Sequence, residues 1–426
     1  MFTPYREVLS RPGALAFSSA GVIARLPISM VGIGIVLMVS SLYGSYGLAG
    51  RVSALYVVTQ AVASPQLARL VDRHGQDRVM RPAIAISAIG LVGLVASALV
   101  HAPAVAMYAA AAVTGASIGS FGALVRARWS HLLDDPRQIH TAYSLESALD
   151  ELVFIVGPVL ATYLATGVQP AAGLVVPIVA MIGGGYWFLA QHRTQPSPRA
   201  LAHGVRHGSV LRSPGMAVVV LVFIGMGSIF GATDVATVAF ASEQGSRSSA
   251  GTILAVFALG SMISGLGYGL RHWLSPLWKR FALGVVLLAA GVSLFFVVAS
   301  LPALAAVMFV TGFSIAPTII NGNGLVQHFV GAERLTEGLT WVGTALGLGV
   351  SVGSSIAGNL IDARGSHGGF LVVMGSAVFA VLATLVSLRT LRAGTAELHE
   401  RTVDGGDTVG GATTCDEPTA GEAAPA

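Results

Sequence analysis

Long runs of apolar residues, separated by short polar stretches, follow one another along nearly the whole chain. Several exceed the roughly 18 residues that an α-helix needs to cross the apolar core of a bilayer. The pattern therefore predicts an all-α integral membrane protein with twelve membrane-spanning helices. We expect these helices at residues 15–40, 49–68, 82–101, 104–125, 142–164, 171–190, 216–241, 250–270, 281–300, 302–326, 336–361 and 369–391.

Two polar stretches divide the chain. The longer interior one, residues 191–215, separates the predicted helices into two sets of six. We expect it to be a cytoplasmic linker between an N-terminal bundle, 1–190, and a C-terminal bundle, 216–392. After residue 393 the chain turns to Gly, Thr, Ala and acidic residues, a composition that cannot bury enough apolar surface to fold. A disordered cytoplasmic tail is predicted for 393–426.

The two predicted bundles share a short sequence. TGASI, residues 114–118, lies in the fourth predicted helix, and TGFSI, residues 311–315, lies in the tenth. The two copies occupy the same place in their halves, as a duplicated six-helix unit requires. The repeat favours two related bundles.

Composition excludes several classes of protein. Only 10% of the 426 residues are charged, against about a quarter in soluble domains. The basic residues are spread over many short loops, so no nucleic-acid surface is expected. The single cysteine, Cys415, excludes an intrachain disulfide and a cysteine metal cluster. GASIG, residues 115–119, fits G-x-S-x-G, but in a spanning helix instead of a strand–turn–helix elbow. No enzyme activity, metal or cofactor is predicted.

The positive charges predict the orientation in the membrane. Of the 24 Lys and Arg residues, 20 fall on the side that holds the N-terminus. Such a bias marks the cytoplasmic side, so both termini are expected in the cytoplasm and the protein in the inner or plasma membrane. The first apolar run follows Arg6 and Arg11 but continues to about Ser40 without a cleavage site, which favours a retained helix over a signal peptide.

The loop after the second predicted helix carries a family signature. It reads ARLVDRHGQDR, residues 68–78, and Asp72, Arg73 and Gly75 are in register with a loop motif of the major facilitator superfamily. The motif's first glycine and its closing basic pair are absent. Together with twelve spans, a central linker and related halves, residues 13–392 resemble that superfamily. Within it, bacterial drug and metabolite efflux proteins are the most similar group.

The resemblance implies several roles. Asp72, with Arg73 and Gly75, would act in conformational gating, against the N-terminus of the eleventh helix or against Arg126 at the end of the fourth. Gly157–Pro158 resembles the core of the family's antiporter motif and is assigned to the same gating. The membrane-embedded arginine that the family carries in its fourth helix is not found. A monomer that carries a small molecule and protons through a lipid bilayer is implied.

Three carboxylates and one arginine lie deep within predicted spans. Glu146, Asp150 and Glu151 belong to the fifth, and Arg25 belongs to the first. Counted at about 1.5 Å per residue, Asp150, Glu151 and Arg25 lie at similar depths, so Arg25 is expected to pair with Asp150 or Glu151. Glu146 and Asp150 share a helix face, whereas Glu151 is rotated from it by about 100°.

One arginine cannot neutralise three acids. We therefore expect one carboxylate to exchange a proton near neutral pH, which makes Asp150, Glu151, Glu146 and Arg25 a predicted proton-coupling site. The alternative is a static polar lock between the first and fifth helices.

Four further polar residues in the spans are candidates for contact with a substrate: Asp234, Asn321, Asn323 and Glu337. Each has an alternative. Asp234 can pair with Arg51, the asparagines can bond between helices, and Glu146 and Glu337 can reach the cytoplasmic interface. Glu337 would also repel Asp72. Glycine pairs four residues apart, such as Gly227/Gly231, Gly265/Gly269 and Gly349/Gly353, predict close helix contacts.

These features predict a secondary transporter that works by alternating access, with its site between the bundles. Proton-coupled export of a small organic molecule is the first hypothesis. Proton-coupled uptake with the same acids is the second, and a membrane sensor or scaffold without transport is the third.

Overall fold

The computed structural model describes residues 3–198, 209–246, 249–271 and 273–393. Within these ranges the chain forms fifteen α-helices and no strand. They are α1 Thr3–Leu9, α2 Ala14–Tyr43, α3 Tyr46–His74, α4 Gln76–Leu99, α5 Ala104–Ser117, α6 Phe121–Leu132, α7 Pro136–Gly167, α8 Ala172–Leu189, α9 Pro214–Glu243, α10 Ser249–Gly269, α11 Leu277–Ser293, α12 Leu301–Gly312, α13 Ile315–Phe329, α14 Leu335–Arg364 and α15 Ser366–Val386. The predicted tail from 394 onward, and linker residues 199–208, lie outside the described ranges.

The helices supply twelve spans. Eleven segments of the described chain are long and apolar enough to cross a membrane. The remaining span is α3, which carries more polar residues but has 29 residues and is therefore about 43 Å long. The fourth and tenth spans were predicted as single helices, which is wrong. Each consists of two, α5 with α6 and α12 with α13.

The shared sequence of the bundles explains these two breaks. Gly115 packs so closely on α3 that an added methyl group would overlap the Tyr56 carbonyl oxygen, and Gly312 meets the Phe257 carbonyl of α10 in the same way. The preceding threonines, Thr114 and Thr311, pack on glycines of α4 and α11. α5 ends shortly before Gly119, whose φ of 66° is left-handed, and α12 ends at Gly312 itself. TGASI and TGFSI therefore make equivalent contacts in each bundle.

The buried apolar side chains form two clusters. One is drawn almost entirely from α2 to α8 and the other from α9 to α15. Within the second cluster, α9 and α14 touch along their glycines. A methyl group on Gly227 or Gly231 would overlap a carbonyl oxygen of α14, and one on Gly349 or Gly353 would overlap a carbonyl oxygen of α9. The predicted close contact of these glycine pairs is confirmed.

Successive spans run in opposite directions, so their connections alternate between two faces. We call one of them the basic face. It is defined by the described residues of five connections: 74–76, 133–135, 190–198 with 209–213, 270–271 with 273–276, and 330–334.

The hydrogen bonds between the two bundles, within the described residues, all lie toward the basic face. They join Tyr5 to Leu266, Arg69 and Asp72 to Glu337, Ser130 to Gln327, His140 to Tyr268, Thr141 to Gly269 and Glu151 to Ser261. The deepest is the bond to Ser261, which lies eight residues before the end of α10 and so about 12 Å inside it. The structure is therefore closed at the basic face.

The described ends of the linker are each attached to a bundle. Arg128 of α6 donates to the Gln191 carbonyl oxygen at 3.0 Å and to Thr194 Oγ1 at 2.9 Å, with its guanidinium 3.8 Å from the centre of the Phe188 ring. At the other end, the Val210 amide donates to Glu337 Oε1 at 3.4 Å.

Candidate functional site

Helix α7 begins earlier than the apolar pattern predicts. Asp135 caps its N-terminus by accepting a hydrogen bond from the Arg137 amide, and Pro136 occupies the first helical position. Glu146 is therefore ten residues from the start of the helix, about 15 Å deep, and its exposed fraction is 0%. The alternative that Glu146 reaches the interface is wrong.

Arg25 binds two carboxylates of α7. Its Nη2 donates to Glu146 Oε2 at 2.5 Å, and its Nη1 donates to Asp150 Oδ1 at 2.6 Å. The second Glu146 oxygen accepts bonds from Ser18 Oγ at 2.7 Å and Trp129 Nε1 at 2.8 Å. Both oxygens of this fully buried carboxylate are thus satisfied, as a buried charge requires. Of the two predicted partners of Arg25, Asp150 and Glu151, the structure shows Asp150.

A second arginine reaches the same carboxylates. Arg126 is 6% exposed, and its Nη2 donates to Asp150 Oδ2 at 2.7 Å. The fourth span was predicted to end at 125, but α6 continues to Leu132 and carries Arg126 inside the protein. The expected absence of an embedded arginine in this span is therefore wrong. The suggested contact of Arg126 with Asp72 is wrong as well.

The charges of this cluster balance. Arg25 and Arg126 face Glu146 and Asp150, two cations for two anions, with Asp150 placed between the arginines. We call these four residues the charge cluster. Sequence reasoning counted one arginine against three acids and missed Arg126, Trp129 and Ser18. The i,i+4 spacing did predict that Glu146 and Asp150 would face one partner together.

Glu151 points away from the charge cluster. Its Oε1 accepts a hydrogen bond of 2.6 Å from the hydroxyl of Ser261, a buried residue of α10 in the other bundle. No salt bridge to Glu151 occurs among the described residues. The sequence predicted that Glu151 is rotated by about 100° from the helix face of Glu146 and Asp150. In the structure Glu151 accordingly forms a hydrogen bond to the other bundle instead of an ion pair with Arg25.

Asp72 contacts the eleventh span at the basic face. Its Oδ2 accepts a 2.9 Å hydrogen bond from the Glu337 amide in the first turn of α14, where a helix favours an anion. The Glu337 carboxylate also binds Arg69 at 2.6 Å and Arg334 at 2.8 Å, and these two cations offset the expected repulsion between Glu337 and Asp72. Arg73 is exposed, and Gly75, with φ of 90°, separates α3 from α4.

Glu337 itself is buried, with an exposed fraction of 1%, and it lies in the first turn of α14 at the basic face, as its position in the sequence predicts. Asn321 bonds to the Tyr268 hydroxyl through Nδ2 at 2.9 Å, which is the interhelical alternative. Asn323 is also buried. Gly157 packs on Ser29 of α2, and α7 continues through Pro158.

Asp234 is exposed on α9 and has no hydrogen-bond or ion-pair partner in the described part of the chain. Its suggested partner Arg51 donates instead to the Tyr108 hydroxyl at 3.0 Å. No group of three or more His, Cys, Asp or Glu side chains in the described ranges is arranged to hold a metal ion.

Comparison with known proteins identifies the family. The sequence model of the Major Facilitator Superfamily matches residues 17–282, which is more than half of the chain. The chain belongs to the Major Facilitator Superfamily. No curated protein sequence matches it.

Solved structures share the Major Facilitator fold of this chain. A bacterial homologue of the iron transporter ferroportin, in an outward-facing state, superposes with a TM-score of 0.70 at 12% identity, covering 90% of this chain and 99% of that one. The human organic anion transporter MFSD10 (TETRAN) superposes with a TM-score of 0.66 at 14% identity, with the same coverage of both chains. At these identities the similarities show the fold alone.

Proposed function

We propose that this protein is a proton-coupled secondary transporter that works by alternating access and exports a small organic molecule. The observation that carries the proposal is the position of Glu151. Glu146 and Asp150 are neutralised by two arginines, whereas Glu151 contacts a hydroxyl of the opposite bundle. In this proposal the charge cluster is the static polar lock between the first and fifth spans, and Glu151 is the acid that exchanges a proton.

Glu151 can couple a proton to bundle movement because it lies where the bundles meet. An ionised carboxylate accepts the Ser261 hydroxyl proton, and a protonated carboxyl group can also donate to the Ser261 oxygen. Opening the basic face separates α7 from α10 and exposes Glu151 to the other side of the membrane. A carboxylate that meets the two compartments in turn can bind a proton on one side and release it on the other.

The contact of Asp72 with α14 supports a gating role. It closes the basic face through a charged group at a helix N-terminus, reinforced by Arg69 on Glu337. With the basic face in the cytoplasm, as the distribution of Lys and Arg indicates, the closed arrangement opens outward. Opening toward the cytoplasm then requires both contacts to break.

Export is favoured over uptake by the resemblance of Gly157–Pro158 to an antiporter motif. Asp234 on α9 is exposed and has no ion-pair partner among the described residues, so it is the first candidate for substrate contact. Asn323 is a second candidate. The organic anion and iron named for the similar structures belong to proteins that are 14% and 12% identical, so neither substrate is transferred. Uptake by the same acids remains the second candidate.

The test compares compound accumulation in an efflux-deficient bacterial host that carries the intact chain, Glu151→Gln or empty vector. Each strain is measured with and without a protonophore. We expect the intact chain to lower accumulation of at least one compound, and expect both the protonophore and Glu151→Gln to abolish this effect. Asp362→Asn, an exposed acid at the far end of α14, is the matched control and should retain transport.

Two results would count against the proposal. Export that persists in Glu151→Gln removes the residue from proton coupling. Accumulation that rises with the intact chain and collapses with the protonophore replaces export by uptake.

A further inference from the structure

The connection between α10 and α11 concentrates aromatic and basic side chains at the basic face. Two of the five tryptophans of the chain lie here, and Lys279 Nζ is 5.5 Å from the ring centre of Trp278. No Asp or Glu occurs in the sequence from residue 244 to residue 332, so the stretch is positively charged. We use the name aromatic–basic segment for Arg271, Trp273, Leu274, Trp278, Lys279 and Arg280.

The three cations of the aromatic–basic segment form no salt bridge within the described part of the chain. Other arginines near the basic face do form them. Arg69 and Arg334 pair with Glu337, and Arg81 pairs with Asp77. The segment therefore presents positive charges that the described residues leave without a counter-ion.

Aromatic rings join two of these cations. Trp273 stacks on Tyr268 with 4.5 Å between the ring centres, and the Arg271 guanidinium lies 5.2 Å from the centre of the Trp273 ring. Arg280 Nη1 donates to the Tyr268 hydroxyl at 3.4 Å, while its Nε is buried without a hydrogen-bond partner in the described residues. The two arginines are thus connected through one aromatic pair.

Leu274 is 98% exposed in this connection, and the neighbouring Trp273 is 36% exposed. A leucine so exposed is stabilised when acyl chains replace the water around it. Tryptophan is enriched where the apolar core of a bilayer meets the headgroups. These two side chains therefore suit the surface of a bilayer better than water.

We propose that the aromatic–basic segment binds the anionic headgroup of a phospholipid in the leaflet at the basic face, with Trp273 and Leu274 inserted among the lipids. Basic side chains next to a membrane attract anionic lipids by an amount that corresponds to about fivefold in affinity for each Lys or Arg. The acidic C-terminal residues would supply charge but no acyl chain, so the exposed apolar pair favours a lipid. This binding does not depend on the proposed proton coupling or export.

The experiment measures which lipid surrounds residue 274. In a Cys415→Ser background, Leu274→Cys is labelled with a small fluorophore, and the full chain is placed in phosphatidylcholine bilayers with a rising fraction of phosphatidylglycerol. One lipid or the other carries bromine atoms in its acyl chains, which quench the fluorophore on contact. We expect brominated phosphatidylglycerol to quench more strongly than brominated phosphatidylcholine at the same mole fraction.

Substitutions in the segment test the role of its charges. Arg271→Gln and Lys279→Gln should each lower the affinity for phosphatidylglycerol, taken from the quenching curve, about fivefold. Both side chains are exposed, so the fold should be retained. Arg271→Lys keeps the charge and should keep the affinity. Arg78→Gln is the matched control, because it removes an exposed cation at the start of α4 in the other bundle, and it should have no effect.

A second label position tests for general enrichment of the anionic lipid. Val100, 74% exposed at the opposite end of α4, should be quenched equally by the two brominated lipids.

Three results would overturn the proposal. The first is equal quenching by the two lipids at residue 274, and the second is an Arg271→Gln variant that behaves like Arg78→Gln. The third is a preference for phosphatidylglycerol that appears only after removal of residues 394–426, which would assign the segment to the acidic end of the chain. Because quenching requires no transport, a failure of the proposed export would leave the lipid result unchanged.

Discussion

At the scale of single residues, Arg25 forms ion pairs with both carboxylates of the charge cluster. It is 4% exposed and binds carboxylates at two positions of α7, one of them fully buried. Removing it would leave Glu146 without a cation and Asp150 with Arg126 alone. An unpaired buried charge is far more costly than the pair itself is favourable.

We therefore predict that Arg25→Met destabilises the purified protein by about 3–5 kcal/mol, the usual cost of breaking a buried ion pair from one side. Unfolding in detergent, followed by heating or by denaturant, measures the change. Arg51→Met is the control, because Arg51 is exposed and bonds to a tyrosine hydroxyl. Similar stability of the two variants would mean that the charge cluster does not hold the first span to the fifth.

The sequence allowed part of this cluster to be predicted, for a physical reason. Depth along a helix and rotation about it follow from residue spacing. A pairing of Arg25 with Asp150 or Glu151, and the separate direction of Glu151, could therefore be inferred. Where a helix ends inside a polar stretch depends on tertiary contacts. The predicted fourth span ends at residue 125, where the polar stretch RARWSHL, 126–132, begins, so Arg126 is expected at the end of that span and not inside it.

At the scale of helices, the α9–α14 contact depends on the missing side chains of glycine. The backbones approach so closely that carbonyl oxygens of each helix occupy the space of a methyl group on the other. α14 also carries Gly343 and Gly347, where an added methyl group meets no atom within 4 Å. The same helix therefore contains glycines that packing requires and glycines that it does not.

We predict that Gly227→Ala and Gly349→Ala each destabilise the protein by about 1–3 kcal/mol, because the helices must move apart. Gly343→Ala and Gly347→Ala should instead stabilise it by about 0.5–1 kcal/mol, because alanine restricts the unfolded chain more than glycine does. Thermal unfolding of the four variants measures both signs. Four equal changes would show that helix propensity, not packing, governs these positions.

The number and order of the spans were predictable, and the breaks within them were not. Apolar runs report which segments lie in the bilayer, so ten of the spans appear as single helices or a helix with a short extension. Hydropathy does not indicate where a residue such as Gly119 adopts a left-handed backbone conformation and interrupts a helix. The TGASI and TGFSI repeat did contain that signal, since each glycine packs on a neighbouring backbone just before the break.

At the scale of the whole molecule, the charges at the connections predict the orientation in the membrane. We predict that a membrane-impermeant thiol reagent, added to intact cells, labels Gln169→Cys but not Asp134→Cys in a Cys415→Ser background. These residues lie at opposite ends of α7, and Asp134 is on the basic face. Both should react after the cells are opened. Labelling of Asp134→Cys in intact cells would reverse the predicted topology.

The attachment of the linker to both bundles has a consequence for the size of any movement. Arg128 fixes the chain up to about Thr194 on one bundle, and the Val210 amide is bonded to Glu337 on the other. Val210 follows Thr194 by 16 residues, and an extended chain of that length spans at most about 58 Å. The covalent length of this segment is thus an upper limit on how far the two attachment points can separate during a cycle. A larger separation of the attachment points would require the linker to detach from Arg128 first. Shortening the segment would therefore limit how far the bundles can move apart before it altered any contact within a bundle.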